Sequence, residues 1–101
     1  MENKDTYKTK VVFRKHKNGD VIALFFEEVA DYAGLYCLSY EAIGQHGAAS
    51  TFLVDDTKLA TPEEYKALKE ELESIGYDLE IYSRMSSNAY NVRKQRLAEY
   101  K

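Results

Sequence analysis

Few residues in this chain have chemistry to offer. His46 stands between glycines in the string Gly44-Gln45-His46-Gly47. Two glycines three apart allow a tight backbone path and close approach of a ligand. Gln45 and His46 would then supply hydrogen bonds. The plain alternative is a turn in which the glycines supply positive φ and His46 caps a strand or helix end. Cys37 and His46 could be imagined as a nucleophile and its base. Cys37, however, sits inside an apolar run with no group nearby in sequence to activate it, so a buried structural cysteine is the better reading. A zinc site from Cys37, His46 and His16 lacks the closely spaced ligand pairs such sites show. Glu27-Glu28 and Asp55-Asp56 are paired carboxylates without calcium-loop spacing. Arg93, Lys94 and Arg96 are placed to contact phosphate or an acidic protein surface, or form only a solvated basic end. The phosphate-binding loop, the dinucleotide fingerprint and the serine elbow are all missing. The candidate binding residues are therefore Gln45, His46, Arg14, His16, Tyr40, Arg93, Lys94 and Arg96, and no catalytic, metal or cofactor set is expected.

These residues need elements to position them. The clearest is a hairpin over Val11–Glu28, with Asn18-Gly19 between two apolar runs. A two-residue type I′ loop suits Asn-Gly because both positions need positive φ. It would set Lys17 opposite Asp20 and Phe13 opposite Leu24. Alternation then puts Val11, Phe13, Ile22, Leu24 and Phe26 on one face, and Val12, Arg14, His16, Val21, Ala23 and Phe25 on the other. The first face is the expected core. The second is covered by the C-terminal segment or the loop after the third strand, or else it is a homodimer or partner surface.

A first strand could begin near Thr6, with Tyr7 in phase, after a frayed Met1–Asp5. Leu35–Ile43 reads as the third strand, with Tyr36, Leu38, Tyr40 and Ala42 toward the core; a short helix from Ser39 is the alternative. Thr51–Leu59 is a short edge strand or an ordered loop. The helix that follows is defined by its ends: Thr61 at the N-cap, Pro62 at the first position, Glu64 closing a capping box and Gly76 at the stop. Tyr65, Leu68, Leu72 and Ile75 form its apolar stripe. Tyr77–Arg84 is a final strand, with parallel and antiparallel pairing both open. Ser86–Lys101 is a short amphipathic helix or a disordered tail. It carries four cationic side chains against one carboxylate, whereas the first helix carries five glutamates against two lysines.

The chain of 101 residues has 45% hydrophobic and 31% charged residues, as expected of one folded domain. The formal net charge of −3 argues against nucleic-acid binding. Nine tyrosines with four phenylalanines and no tryptophan suit the margin of a small core or an interface. A single cysteine fits a reducing compartment. The polar MENKDTYKTK start is not a secretory signal, and no run approaches the roughly 20 apolar residues of a membrane span. A cytoplasmic protein is expected.

The strings FRKHKNGDVIALFFEE, LSYEAIGQHG and LATPEEYKALKEELESIGYDLEI resemble short uncharacterised proteins of gut bacteria, their mobile elements and their phages. The resemblance covers about Val11–Ile81, and its most specific pieces are NGDVIALF and IGQHG. It implies a small soluble protein of a phage-like or mobile genome, and it transfers no catalytic residue.

The expected fold is α+β: an antiparallel sheet built on the N-terminal hairpin, one main helix on one face, and the order β-β-β-(β)-α-β with a further C-terminal helix. Residues 1–85 would be one domain and 86–101 its basic helix or tail. The expected function is non-enzymatic protein–protein contact, with inhibition of a bacterial defence system as a concrete version. The alternative is an anionic or nucleotide-like ligand held at GQHG.

Overall fold

The computed structural model describes residues 8–31, 33–41 and 45–99. The protein is α+β, as its patterning predicts. In chain order it has β1 (Thr9–Lys15), β2 (Val21–Val29), β3 (Tyr36–Glu41), β4 (Gln45–Ser50), a 3-10 helix (Thr51–Asp56), β5 (Lys58–Leu59), α1 (Pro62–Ser74), β6 (Leu79–Tyr82) and α2 (Ala89–Glu99). The sheet order is β4-β3-β2-β1-β5, with β6 also paired to β1. β5 pairs antiparallel with Arg14 and Lys15. β6 pairs parallel with Thr9–Val12. The two short strands therefore divide the second edge of β1. The expected start near Thr6 and Tyr7, and the frayed Met1–Asp5, lie outside the described residues, as do Ala42, Ile43 and Gly44.

The hairpin is present, but its register differs by one residue from the two-residue loop. Val12 pairs with Leu24, Phe13 with Ala23, Arg14 with Ile22 and Lys15 with Val21. Gly19 N–H donates to the His16 carbonyl at 2.9 Å, and His16 N–H donates to the Asp20 carbonyl at 2.8 Å. The loop is thus Lys17-Asn18-Gly19, and of the two central residues only Gly19 has positive φ, at 98°. This is a type I turn followed by a glycine bulge, the three-residue alternative to type I′. A one-residue slip exchanges the faces of an entire strand. The face under α1 accordingly holds Val11, Phe13, Ala23 and Phe25. Ile22, Leu24 and Phe26, expected there, are on the opposite face with Val12.

α1 forms as its end signals predict. The Thr61 side chain accepts from the Glu64 N–H, and Glu64 Oε1 accepts from the Thr61 N–H at 2.9 Å. At the other end, Tyr77 N–H donates to the Leu72 carbonyl and Gly76 N–H to the Glu73 carbonyl, with Gly76 at φ 114°. These two bonds and the left-handed glycine make a Schellman stop. Leu68 and Leu72 are buried on the sheet, and Tyr65 stacks on Phe13 with centroids 4.3 Å apart. Burial of each leucine contributes about 1.5–3 kcal/mol. Ile75, expected in this stripe, is 52% exposed because it is the cap residue, past the last turn that faces the sheet.

The opposite sheet face is covered by the chain itself. Leu53 and Val54 of the 3-10 helix pack on Ile22, Leu24, Cys37 and Ala49. Ala89 of α2 and the preceding Met85 pack on Val12 and Phe26. Both faces of β3 are therefore occupied. Tyr40 and Leu38 serve the α1 side while Cys37 and Ser39 are buried on the other, and Tyr36, expected in the core, is 45% exposed. The string expected as a glycine turn is different again: Gln45-His46-Gly47 begins strand β4, paired with Glu41, Tyr40 and Ser39. No helix starts at Ser39.

Candidate partner-binding groove

Three of the expected cationic residues are held by the fold. Arg14 donates through Nε to Thr57 Oγ1 at 3.0 Å and through Nη2 to the Val54 and Thr57 carbonyls at 2.9 and 2.7 Å. It ties the 3-10 helix to β1. Arg96 bonds Glu28 at 3.0 Å. Arg93 is 2% exposed and donates through Nε to the Gly34 carbonyl at 2.9 Å and through Nη1 to the Phe26 carbonyl at 2.6 Å. It ties α2 to β2 and to the β2–β3 turn. That turn is shaped by Asp31, whose carboxylate accepts from the Ala33 and Tyr36 N–H groups. Gly34, at φ 73°, completes it, and a Cβ there would lie 3.3 Å from Leu97 Cδ1. Lys94 is exposed, with its ammonium 5.9 Å from the Tyr90 ring centre.

His46 and Tyr40 neighbour each other across β3 and β4, on the α1 side of the sheet. The His46 Nε2 lies 2.8 Å from the Tyr77 hydroxyl, and its ring meets Tyr40 edge-on at 4.7 Å. The Tyr40 hydroxyl donates to Glu71 of α1, which raises its phenol pKa above the usual value. Gln45 and Gly47 flank His46 and so project to the other face. There Gln45, His16, Ser39 and Glu41 line a cavity of about 370 Å³. His16, Gln45 and His46 thus line one cavity, as the sequence suggests, although the His46 ring also reaches Tyr77; Arg14 is not part of the lining, and Glu41 opposes an anionic occupant.

Cys37 is fully buried, and burial pushes its thiol up to about 11 against a smaller lowering by Arg93. A thiolate nucleophile at neutral pH is thereby disfavoured. Among the described residues no three His, Cys, Asp or Glu side chains gather as a metal-binding group. Among these residues, too, no helix is long and apolar enough to cross a membrane.

A second open feature has no counterpart in the linear pattern. A groove of about 600 Å³ runs between the start of β3 and the N-terminal turn of α2. Leu35 and Tyr36 line it on one side, Ser86, Ser87 and Tyr90 on the other, with Arg93 at its base. Leu35, Tyr36 and Tyr90, all lining it, are 56%, 45% and 43% exposed, large side chains with unburied area. The one sequence signal pointing here is the tyrosine excess; nothing in the linear pattern brings Tyr36 beside Tyr90. Comparison of the chain with family models, with curated proteins and with solved structures returns no match.

Proposed function

We propose that this chain is a small non-enzymatic binding protein that acts by docking a partner protein in the groove of Leu35, Tyr36 and Tyr90. The carrying observation is that cluster itself: two half-exposed tyrosines and a leucine beside a concave space with a buried arginine beneath. Aromatic side chains and arginine dominate binding energy at interfaces, particularly where one end is apolar and the other hydrogen-bonds. The hairpin face of Val12, Arg14, His16, Val21, Ala23 and Phe25 is less suited to a partner or a second copy, since Val21, Ala23 and Phe25 pack with the α1 side of the sheet, Val12 packs with α2, and Arg14 is tied to the 3-10 helix. The resemblance to phage and mobile-element proteins makes inhibition of a bacterial defence system the concrete form of this reading.

The test compares the wild-type chain with a Tyr36→Ser, Tyr90→Ser double variant as bait in bacterial lysate, after circular dichroism has shown equal folding. A partner retained by the wild type and lost by the variant supports the reading. Identical retention by both, or none by either, refutes it. A small-ligand site is the second reading, favoured by His16 and Gln45 bordering one cavity over the buried Ser39. It expects Gln45→Ala to abolish ligand-induced thermal stabilisation without altering the fold.

A further inference from the structure

We propose that the base of the groove is a carboxylate subsite, and that its occupant is an extended segment of a partner protein carrying an aspartate or glutamate between apolar residues. This rests on the reading of the groove as a docking site and adds the chemistry it selects.

Arg93 carries the argument. A guanidinium has five N–H donors in a fixed fork. Nε and Nη1 reach the Gly34 and Phe26 carbonyls, and Nη2 has no hydrogen-bond partner among the described residues. The side chain is 2% exposed, and among the described residues no carboxylate pairs with it within salt-bridge distance. A buried cation without a counter-charge is costly unless further polar partners reach it. A carboxylate entering from the groove would supply that partner, since the groove is lined by Arg93 itself.

A second, independent feature favours the same charge. The turn leading into α2 and its first residues, Ser86, Ser87, Ala89 and Tyr90, line the groove. The Asn88 and Ala89 N–H groups there are already bonded to Ser86 Oγ and the Ser86 carbonyl, so the helix start contributes chiefly the positive end of its backbone dipole. None of the described residues lining the groove is acidic, although the whole chain has a formal net charge of −3. The space is thus locally cationic in an anionic protein. Lys94, its ammonium 5.9 Å from the Tyr90 ring centre, is a second cation close to one lining residue.

The remaining lining sets the neighbours of that carboxylate. Leu35, Tyr36, Met85 and Tyr90 offer apolar and aromatic area on both sides of the arginine. One buried guanidinium balances one carboxylate. An acidic side chain meets that guanidinium charge for charge, whereas a dianionic phosphate would also have to engage Lys94, which is outside the groove lining.

The experiment titrates the wild-type protein, labelled with ¹⁵N, with three capped pentapeptides. Each has a leucine on either side of a central residue, which is aspartate, asparagine or phosphoserine; capping removes terminal charge. The reporters are the Arg93 Nε resonance and the backbone amides of Ser86 and Ser87. The aspartate peptide is expected to shift all three, and the asparagine peptide to bind at least about tenfold more weakly, the loss of one charge-assisted hydrogen bond. Equal binding of both peptides in the groove overturns the carboxylate subsite while the docking site stands. Tightest binding by phosphoserine overturns the choice of carboxylate. No shift with any peptide overturns both the subsite and the docking site.

Discussion

Replacing Gly19 by alanine and, separately, Asn18 by glycine probes the turn on which the register of the sheet depends. Gly19 has φ 98° and nothing within 4 Å of where its Cβ would sit. The cost of Gly19→Ala is therefore backbone strain alone, without a clash. A non-glycine residue in left-handed conformation costs about 1–2 kcal/mol. Alanine also narrows the unfolded ensemble, which offsets roughly 0.5 kcal/mol. The net loss is about 1 kcal/mol, a fall in Tm of roughly 4–8 °C for a domain of this size. Asn18 behaves oppositely to what a type I′ turn requires, because its φ is negative. Its Oδ1 accepts from the Asp20 N–H at 3.0 Å. Asn18→Gly should lose that bond and gain unfolded-state freedom, a cost of about 0.5–1 kcal/mol. Urea unfolding followed by circular dichroism measures both variants. If Asn18→Gly stabilises the protein, or Gly19→Ala is neutral, the three-residue loop and the register derived from it are wrong.

Further outcomes follow from the core. Leu72→Ala removes a fully buried side chain between α1 and the sheet and should cost about 2–5 kcal/mol in chemical unfolding. Gly34→Ala strains a residue at φ 73° and presses Leu97 and Lys94 away; thermal unfolding should show a loss above that of Gly19→Ala, where there is no such contact. Cys37 should resist thiol reagents at neutral pH in the native protein and react once unfolded, because its thiol is raised to about 11. The same shift gives an alkaline dependence. The unfolded thiol, at its ordinary value of 9.0, loses its proton first, so the stability contribution is whole below pH 9 and is lost as pH rises toward 11. Cys37→Ala should flatten that part of a stability–pH profile.

Local signals located most elements. Thr61, Pro62, Glu64 and Gly76 delimit α1 because caps act through hydrogen bonds spanning only a few residues. The Val11–Phe26 alternation defines two strands for a similar reason: side-chain direction repeats every two residues. Asn18-Gly19 located the turn, yet left its loop length open. Two loop geometries accept the same pair, and one residue of difference exchanges the faces of β2. The glycines around Gln45-His46 misled in another way. Their pattern suits a turn, but β3 offered a free edge, and pairing with it drew Gln45–Ser50 into a strand.

The candidate site was barely legible, because it belongs to no segment. In sequence, Arg93 and Arg96 belong to a basic end that suits phosphate or an acidic surface, or simply solvent. In the folded chain Arg93 is the pin that holds α2 to the Gly34 and Phe26 carbonyls, and Arg96 pairs with Glu28. Tyr36 and Tyr90 lie 54 positions apart in the chain and border one groove only because α2 returns to the start of β3. By itself, then, the amino-acid order determined what short-range forces determine: the α+β class, the capped helix, the hairpin and the apolar stripes. Tertiary structure decided the register, the partners of each charge and the groove. Those depend on which surfaces meet, and that contact is set by the packing of the whole chain at once.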